Sequence, residues 1–216
     1  MLLDENLVQD LVLSGTVCDT FRRLSAEKKS RLYQTAAILF GEYGYDGLAV
    51  DRFCREAGIS KGSFFKYFPA KSHLLEFAVL ILDNRLARRL ADIKVSQPPA
   101  VARTRLIYLL EVLTDGSQWP RWERNFYCYL TGAAGHSSVI IEGVNLERHL
   151  LEFIADIIER GIQTREISRD LKPAAISRLV AIVVSAVLSD RLGEHREEPV
   201  AAAEHLISIL FDGLAA

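Results

Sequence analysis

Between residues 58 and 74 the sequence reads GISKGSFFKYFPAKSHL, which gathers Lys61, Lys66 and Lys71, the small residues Gly62 and Ser63, and the rings of Phe65 and Tyr67. That mixture suits a nucleic-acid groove. Ammonium groups pair with phosphates, a hydroxyl reaches phosphate or base edges, a glycine permits close approach, and a ring packs on thymine methyls or sugars. Chemistry of other kinds is scarce. The chain has no G-x-G-x-x-G, no G-x-S-x-G nucleophile turn, no H-E-x-x-H and no Walker loop. Its five histidines, His73, His136, His149, His195 and His205, are scattered, and none forms a close helical pair with another. Glu152, Asp156 and Glu159 recur at i+4 and i+3, a spacing that could serve acid–base or metal chemistry, although an exposed helix face explains it with fewer assumptions. The stretch GAAGHSS lacks the preceding strand of a phosphate loop and reads as a helix break. Cys18, Cys54 and Cys128 make no C-x-x-C pair and are expected as reduced thiols. No catalytic residue, metal or cofactor is expected.

Elements must place that stretch on a surface, and charge says where the surface is. The 216 residues carry a net charge of only -2, yet residues 21 to 72 hold ten Lys/Arg against five Asp/Glu. Residues 1 to 20 hold four acids and no base, and residues 73 to 216 sixteen bases against nineteen acids, so the basic character is local. The acidic start MLLDENLVQDLVLSG lacks the basic lead of a secretory signal. The apolar run LVAIVVSAVL is well short of the roughly 20 residues that span a bilayer. A cytoplasmic protein without a membrane segment is expected.

Apolar residues recur at helical spacing. Leu32, Ala36, Leu39, Phe40 and Tyr43 share one helix face that Gly44 ends. Val50, Phe53, Cys54 and Ala57 form a second, shorter stripe closed by Gly58, and Ser60 caps a third helix that ends near Phe68, before Pro69. A long helix runs from Lys71 toward Lys94, and Pro98 and Pro99 mark a connection. Further helices are predicted at 100–114, 119–132, 138–161, 173–192 and 198–213. The class is therefore all-α, about nine helices, with no alternating run that argues for a sheet. Residues 1–20 read as either a weak helix or a mobile arm. If Ile59, Phe64 and Phe68 face a core, Lys61, Gly62, Ser63, Phe65, Lys66 and Tyr67 are left on the other side. On these residues alone, a solvated corner of a helical bundle remains an equal reading.

The segment RLYQTAAILFGEYGYDGLAVDRFCREAGISKGSFFKYFPAKSHLLEF, residues 31–77, closely resembles the DNA-binding domain of TetR-family transcriptional regulators. The Ala-Ala and Leu-Phe pairs of the first helix, Gly44-Tyr45, the AGIS turn, KGSFFKYF and Lys71 occur in order and at the right spacing. IERGIQTREISRDLKPAAISRLV looks like that family's entry into its penultimate helix. The resemblance implies a three-helix helix-turn-helix domain over 25–71, preceded by an arm, 1–24, and followed by an effector-binding and dimerisation domain, 72–216. It implies that Lys61, Gly62 and Ser63 approach bases or backbone, that Phe65, Lys66 and Tyr67 line the groove, and that Lys71 takes a phosphate. Three positions depart from the family pattern: Ala49 and Ala70 stand where capping residues usually occur, and Phe65 replaces a common tyrosine. A lost N-cap costs about 0.5–2 kcal/mol of helix stability, so anchoring is expected to lean on the lysines, Tyr67 and the basic FRRLSAEKKSR.

One such module reads few base pairs, so a homodimer on a palindromic DNA operator is expected, and a repressor, because the family mostly represses. Leu179, Ile182, Val183, Ala186 and Val187 form one apolar stripe for the interface, and Leu206, Ile207 and Leu210 lie on another; packing within the subunit is the alternative for both. WPRWERNFYCYL crowds aromatic residues into a dozen positions. Aromatics at helical spacing are more often core than ligand cage, but the family's small-molecule effector site lies among its middle helices. Trp119, Trp122, Phe126 and Tyr129 are therefore the expected apolar walls, with Tyr127, His149 and Arg178 as polar contacts. The competing classes are a helical protein-interaction module and a small helical enzyme with a vestigial DNA-binding head.

Overall fold

The computed structural model describes residues 5–96, 101–115, 117, 119–132, 144, 146–168, 172–188 and 199–214, apart from the side chains of 199, 200, 202, 203, 206, 210 and 214. Among them lie ten α-helices, a 3-10 turn at Asp19–Arg23, and no strand. The helices are α1 Glu5–Leu13, α2 Ala26–Gly47, α3 Val50–Ala57, α4 Lys61–Tyr67, α5 Lys71–Ser96, α6 Ala102–Thr114, α7 Arg121–Thr131, α8 Leu146–Gln163, α9 Pro173–Leu188 and α10 Pro199–Leu214. The helix predicted at 138–161 is described from Leu146, and the one predicted to reach 192 is described to Leu188. His136, His195, Pro98 and Pro99 lie outside the described residues.

Local chemistry sets the boundaries in the first half. Ser25 caps α2 by accepting from the Lys28 N–H at 3.2 Å, the N-cap interaction that satisfies an orphan donor. Gly44, at φ 65 and ψ 179, breaks the helical geometry of α2 where its apolar stripe ends. Gly58 is left-handed, φ 65 and ψ 41, and closes α3. Such φ values cost little only for glycine.

The extra helix is α1, the helical one of the two readings left open for the first twenty residues. Val8 and Leu11 on α1, and Val17 and Phe21 after it, are buried. The Phe21 ring sits 5.7 Å from Phe68 and 5.1 Å from Phe77, while Phe53 and Phe64 complete the cluster at 6.4 Å and 5.5 Å from Phe68. Burying one such ring contributes about 1.5–3 kcal/mol. The cluster therefore binds the N-terminal segment to α3, α4 and α5 as one packed head. In the second half, α9 packs between α8 and α10, and α10 also covers α6. The helix that meets the head most extensively is α7, which lies along α2.

Candidate nucleic-acid interface and ligand cavity

The α3–α4 corner is built by its turn. Gly58 N–H donates back to the Cys54 and Arg55 carbonyls, and Ile59 N–H to Cys54 O at 2.9 Å, closing α3 within one turn. Ser60 then opens α4 by accepting from Ser63 N–H at 3.1 Å. Ala49, at the N-cap of α3, makes no side-chain bond. On α4, Phe64 is fully buried, as is Phe68 just beyond it, and the helix's other face looks outward. Lys61, Gly62 and Lys66 are exposed, and Phe65 is 51 % exposed. A Cβ at Gly62 would meet only Ser60 Oγ, at 4.0 Å, so nothing inside the protein requires glycine there.

The remaining residues of that face are partly engaged. Lys61 Nζ lies 2.9 Å from Asp51 Oδ1, both side chains largely exposed, and the hydrogen bond to Asp51 holds the ammonium pKa above its usual value. Exposed pairs of this kind are weak and exchange readily for another anion. The Ser63 hydroxyl is 2.9 Å from Ser60 Oγ. Tyr67 is half-buried, with Lys28 Nζ donating to its hydroxyl at 3.2 Å. Lys71 is placed differently from the expected phosphate contact. Its ammonium donates to Tyr45 O at 2.8 Å and Leu48 O at 3.1 Å and lies 4.2 Å from the Tyr45 ring centroid. Tyr45 and Leu48 lie at the end of α2, where carbonyls lack helical donors, and Lys71 satisfies both.

A cavity of about 590 Å³ opens among α7, α8 and α9, within the range of small-molecule sites. Tyr127 and Thr131 form its α7 wall, Leu150 and Leu151 its α8 wall, and Arg178 and Ile182 face it from α9. Of the expected effector residues, Tyr127 and Arg178 line it; Trp119, Trp122, Phe126, Tyr129 and His149 do not. The reason is helical phase. The residues 122, 126 and 129 share the face of α7 that covers α2, where Trp122 meets Tyr33 edge-on at 5.7 Å and Phe126 stacks on Phe40 at 6.3 Å. Tyr129 Oη accepts from Tyr45 N–H at 2.8 Å. Trp119 is fully buried against Tyr127 and beneath the Arg89 guanidinium, 5.0 Å from its ring. His149 instead ties α8 to α5 through Asp83, at 2.9 Å.

The sequence reading missed a buried ionic cluster. Glu123 of α7 is wholly buried and bonds Tyr33 Oη of α2 at 2.5 Å and Arg85 of α5 through Nε at 2.5 Å and a second nitrogen at 3.1 Å. Arg89 approaches the same carboxylate at 3.6 Å. Burial, reinforced by the neighbouring Glu123 charge, pushes the Tyr33 pKa well above its ordinary value. Charge at helical spacing ordinarily marks a solvated face, so no local signal distinguishes Glu123 from the acids around it. The cluster joins the head, the long α5 and the cavity wall.

Among the described residues, no group of three or more His, Cys, Asp and Glu is placed to hold a metal ion, and no helix is long and apolar enough to cross a membrane. Residues 32–78 match the family model for bacterial regulatory proteins of the tetR family. The chain aligns over 194 residues, at 21 % identity, with the HTH-type transcriptional regulator UidR of Escherichia coli K12, covering 89 % of this chain and 95 % of UidR. Residues 32–78 are thus a TetR-family DNA-binding segment. A second relative, the uncharacterized HTH-type transcriptional regulator YuxN of Bacillus subtilis, is 33 % identical over 91 residues, which span 41 % of this chain and 31 % of YuxN. The fold is also that of the transcriptional regulator FadR from Bacillus subtilis in complex with stearoyl-CoA, with TM-score 0.60, 15 % identity, and 86 % and 98 % of the two chains covered. These relatives and this neighbour are transcriptional regulators rather than enzymes, and the family match supports a DNA-binding function for the chain.

Proposed function

We propose that this regulator binds a palindromic operator as a homodimer, represses from it, and is released by a small, largely apolar molecule in the α7–α9 cavity. The observation that carries the DNA half is the outward face of α4. Lys61, Phe65 and Lys66 are exposed there beside a glycine whose missing side chain serves no internal contact. A groove wall approaching α4 supplies the contact that explains it, with Ser63 and Tyr67 at the margin of the same face. Selection of bound sequences from a random duplex library at fixed salt tests this. A palindrome with half-sites one helical turn apart, or a multiple of it, is expected, and it should vanish in a Lys61→Ala/Lys66→Ala double variant. Uniform, weak recovery of all sequences would count against it.

The dimer half rests on α9. Leu179 and Ile182 are 51 % and 64 % exposed, and Val183 and Ala186 are half-buried beside them. Ile209 of α10 adds another exposed apolar side chain, at 55 %. A 16-residue helix with Arg178 as its one charge leaves little reason for this stripe to face water. Val187 and Ile207, expected at the same interface, are buried within the subunit, where their faces of α9 and α10 meet the bundle. The side chains of Leu206 and Leu210 lie outside the described set.

For the effector, the cavity offers mostly apolar walls with the Tyr127 hydroxyl, Thr131, Glu147, Arg178 and Ser185 as polar points. This suits an apolar body with an oxygen-bearing end, a chemistry in keeping with the stearoyl-CoA bound by the FadR neighbour. The route to DNA is α7, which carries Tyr127 on the cavity side and Glu123 and Tyr129 against the head. A coupling of about 1–3 kcal/mol would change operator affinity several-fold to a hundredfold. Stearoyl-CoA is the first probe; operator affinity unchanged at saturating probe would remove that class, and equal affinity with every bound cavity ligand would remove the release mechanism.

A further inference from the structure

We infer that residues 16–21 are a strap that sets the angle of α4, making Thr20 and the Cys18 backbone positioning elements for sequence reading. This rests on α4 being the DNA-reading helix. At seven residues, α4 is too short to persist by itself, and its last carbonyls need donors from elsewhere. Phe68 N–H satisfies Phe64 O at 2.8 Å. Beyond that the chain leaves helical geometry, Phe68 having φ -129 and ψ 125, and Pro69 has no N–H to offer.

The N-terminal segment supplies the missing donors. Cys18 N–H donates to Tyr67 O at 2.9 Å, and the Thr20 hydroxyl donates to Lys66 O. The strap is fixed at both ends. Thr16 Oγ1 donates to Glu76 of α5 at 3.1 Å, and Phe21 is fully buried between Phe68 and Phe77. Two successive carbonyls at the end of α4 opposite Lys61 are thus tied to a segment that is itself tied to α5. An angle held at one end by the Ser60 cap and at the other by the strap leaves α4 little freedom to tilt. The strap lies wholly outside residues 32–78, which carry the family match.

The test compares affinity for the selected operator with affinity for a scrambled duplex at one salt concentration. Thr20→Val keeps the shape and removes the hydroxyl; Thr20→Ser restores it. Cys18→Pro removes the backbone donor at a residue whose φ of -74 already suits proline. Thr20→Val and Cys18→Pro should each lower the operator-to-scrambled ratio about threefold or more, on the scale of one hydrogen bond, with scrambled-duplex affinity and its salt slope unchanged. Thr20→Ser should keep the wild-type ratio. A ratio held within about twofold of wild type in both Thr20→Val and Cys18→Pro would overturn the strap's role, as would equal losses on both duplexes, which mark general destabilisation. Wild-type protein that does not discriminate between the duplexes would instead remove the DNA-reading role of α4, and the strap's with it.

Discussion

Lysines that look alike in the sequence have different work in the structure. Lys66 is exposed on α4, whereas Lys71 spends its ammonium on the Tyr45 and Leu48 carbonyls. Lys66→Ala should reduce the salt dependence of non-specific duplex binding by about one unit of slope, since one phosphate contact is lost. Lys71→Ala should leave that slope unchanged and lower stability by about 1.5–3 kcal/mol, the range for hydrogen bonds to a charged group. Salt titration and chemical denaturation of both variants separate the two roles. The sequence pattern distinguished the residues poorly because a lysine at the start of a helix reads as surface until the carbonyls left at the end of α2 are seen beneath it. By contrast Gly58, Ser60 and Pro69 were legible, because turn and cap chemistry acts between residues a few positions apart.

At the scale of elements, α7 shows why the cavity was hard to read. Its aromatic residues are as helical in spacing as expected, but which stripe faces a cavity depends on the neighbours, and α2 takes the face bearing Trp122, Phe126 and Tyr129. Glu123 was hidden for the same reason: its partners Tyr33 and Arg85 lie 90 and 38 residues away. Removing its charge with Glu123→Leu strands two guanidinium groups near a buried site and should cost about 3–5 kcal/mol. The same cluster gives an alkaline signature. The folded-state pKa of Tyr33 is raised, so its contribution is complete below the unfolded value near 10. It is lost as pH rises from there through the higher folded value, because only the unfolded state then ionises freely. Denaturation from pH 9 to 11 should show wild-type stability falling more steeply than that of Tyr33→Phe; parallel curves would mean that Tyr33 is not held neutral by burial beside Glu123.

For the whole molecule, the cavity and the exposed stripe of α9 share Ile182 and Ala186. One helix therefore borders the proposed effector site and the proposed subunit contact. Ile182→Glu should shift sedimentation from dimer to monomer at micromolar concentration, and because two heads are then no longer tethered, operator affinity should fall by a factor of at least about 100. A variant that remains dimeric would place the interface elsewhere. The all-helical architecture and the three helices of the head follow from periodicity and punctuation in the sequence. The place of residues 5–24 does not, because Phe21 reaches its partners Phe68 and Phe77 only across the folded chain.

The measurement that tests the central claim most directly is the ratio of equilibrium affinities for the selected palindrome and a scrambled duplex, at one salt concentration, in wild type and in Phe65→Ala/Lys66→Ala. A ratio of about 10³ or more in wild type, with two chains bound per palindrome, should collapse in the double variant. A wild-type ratio near one, or a high ratio that survives loss of both side chains, would contradict the reading of DNA by the exposed face of α4.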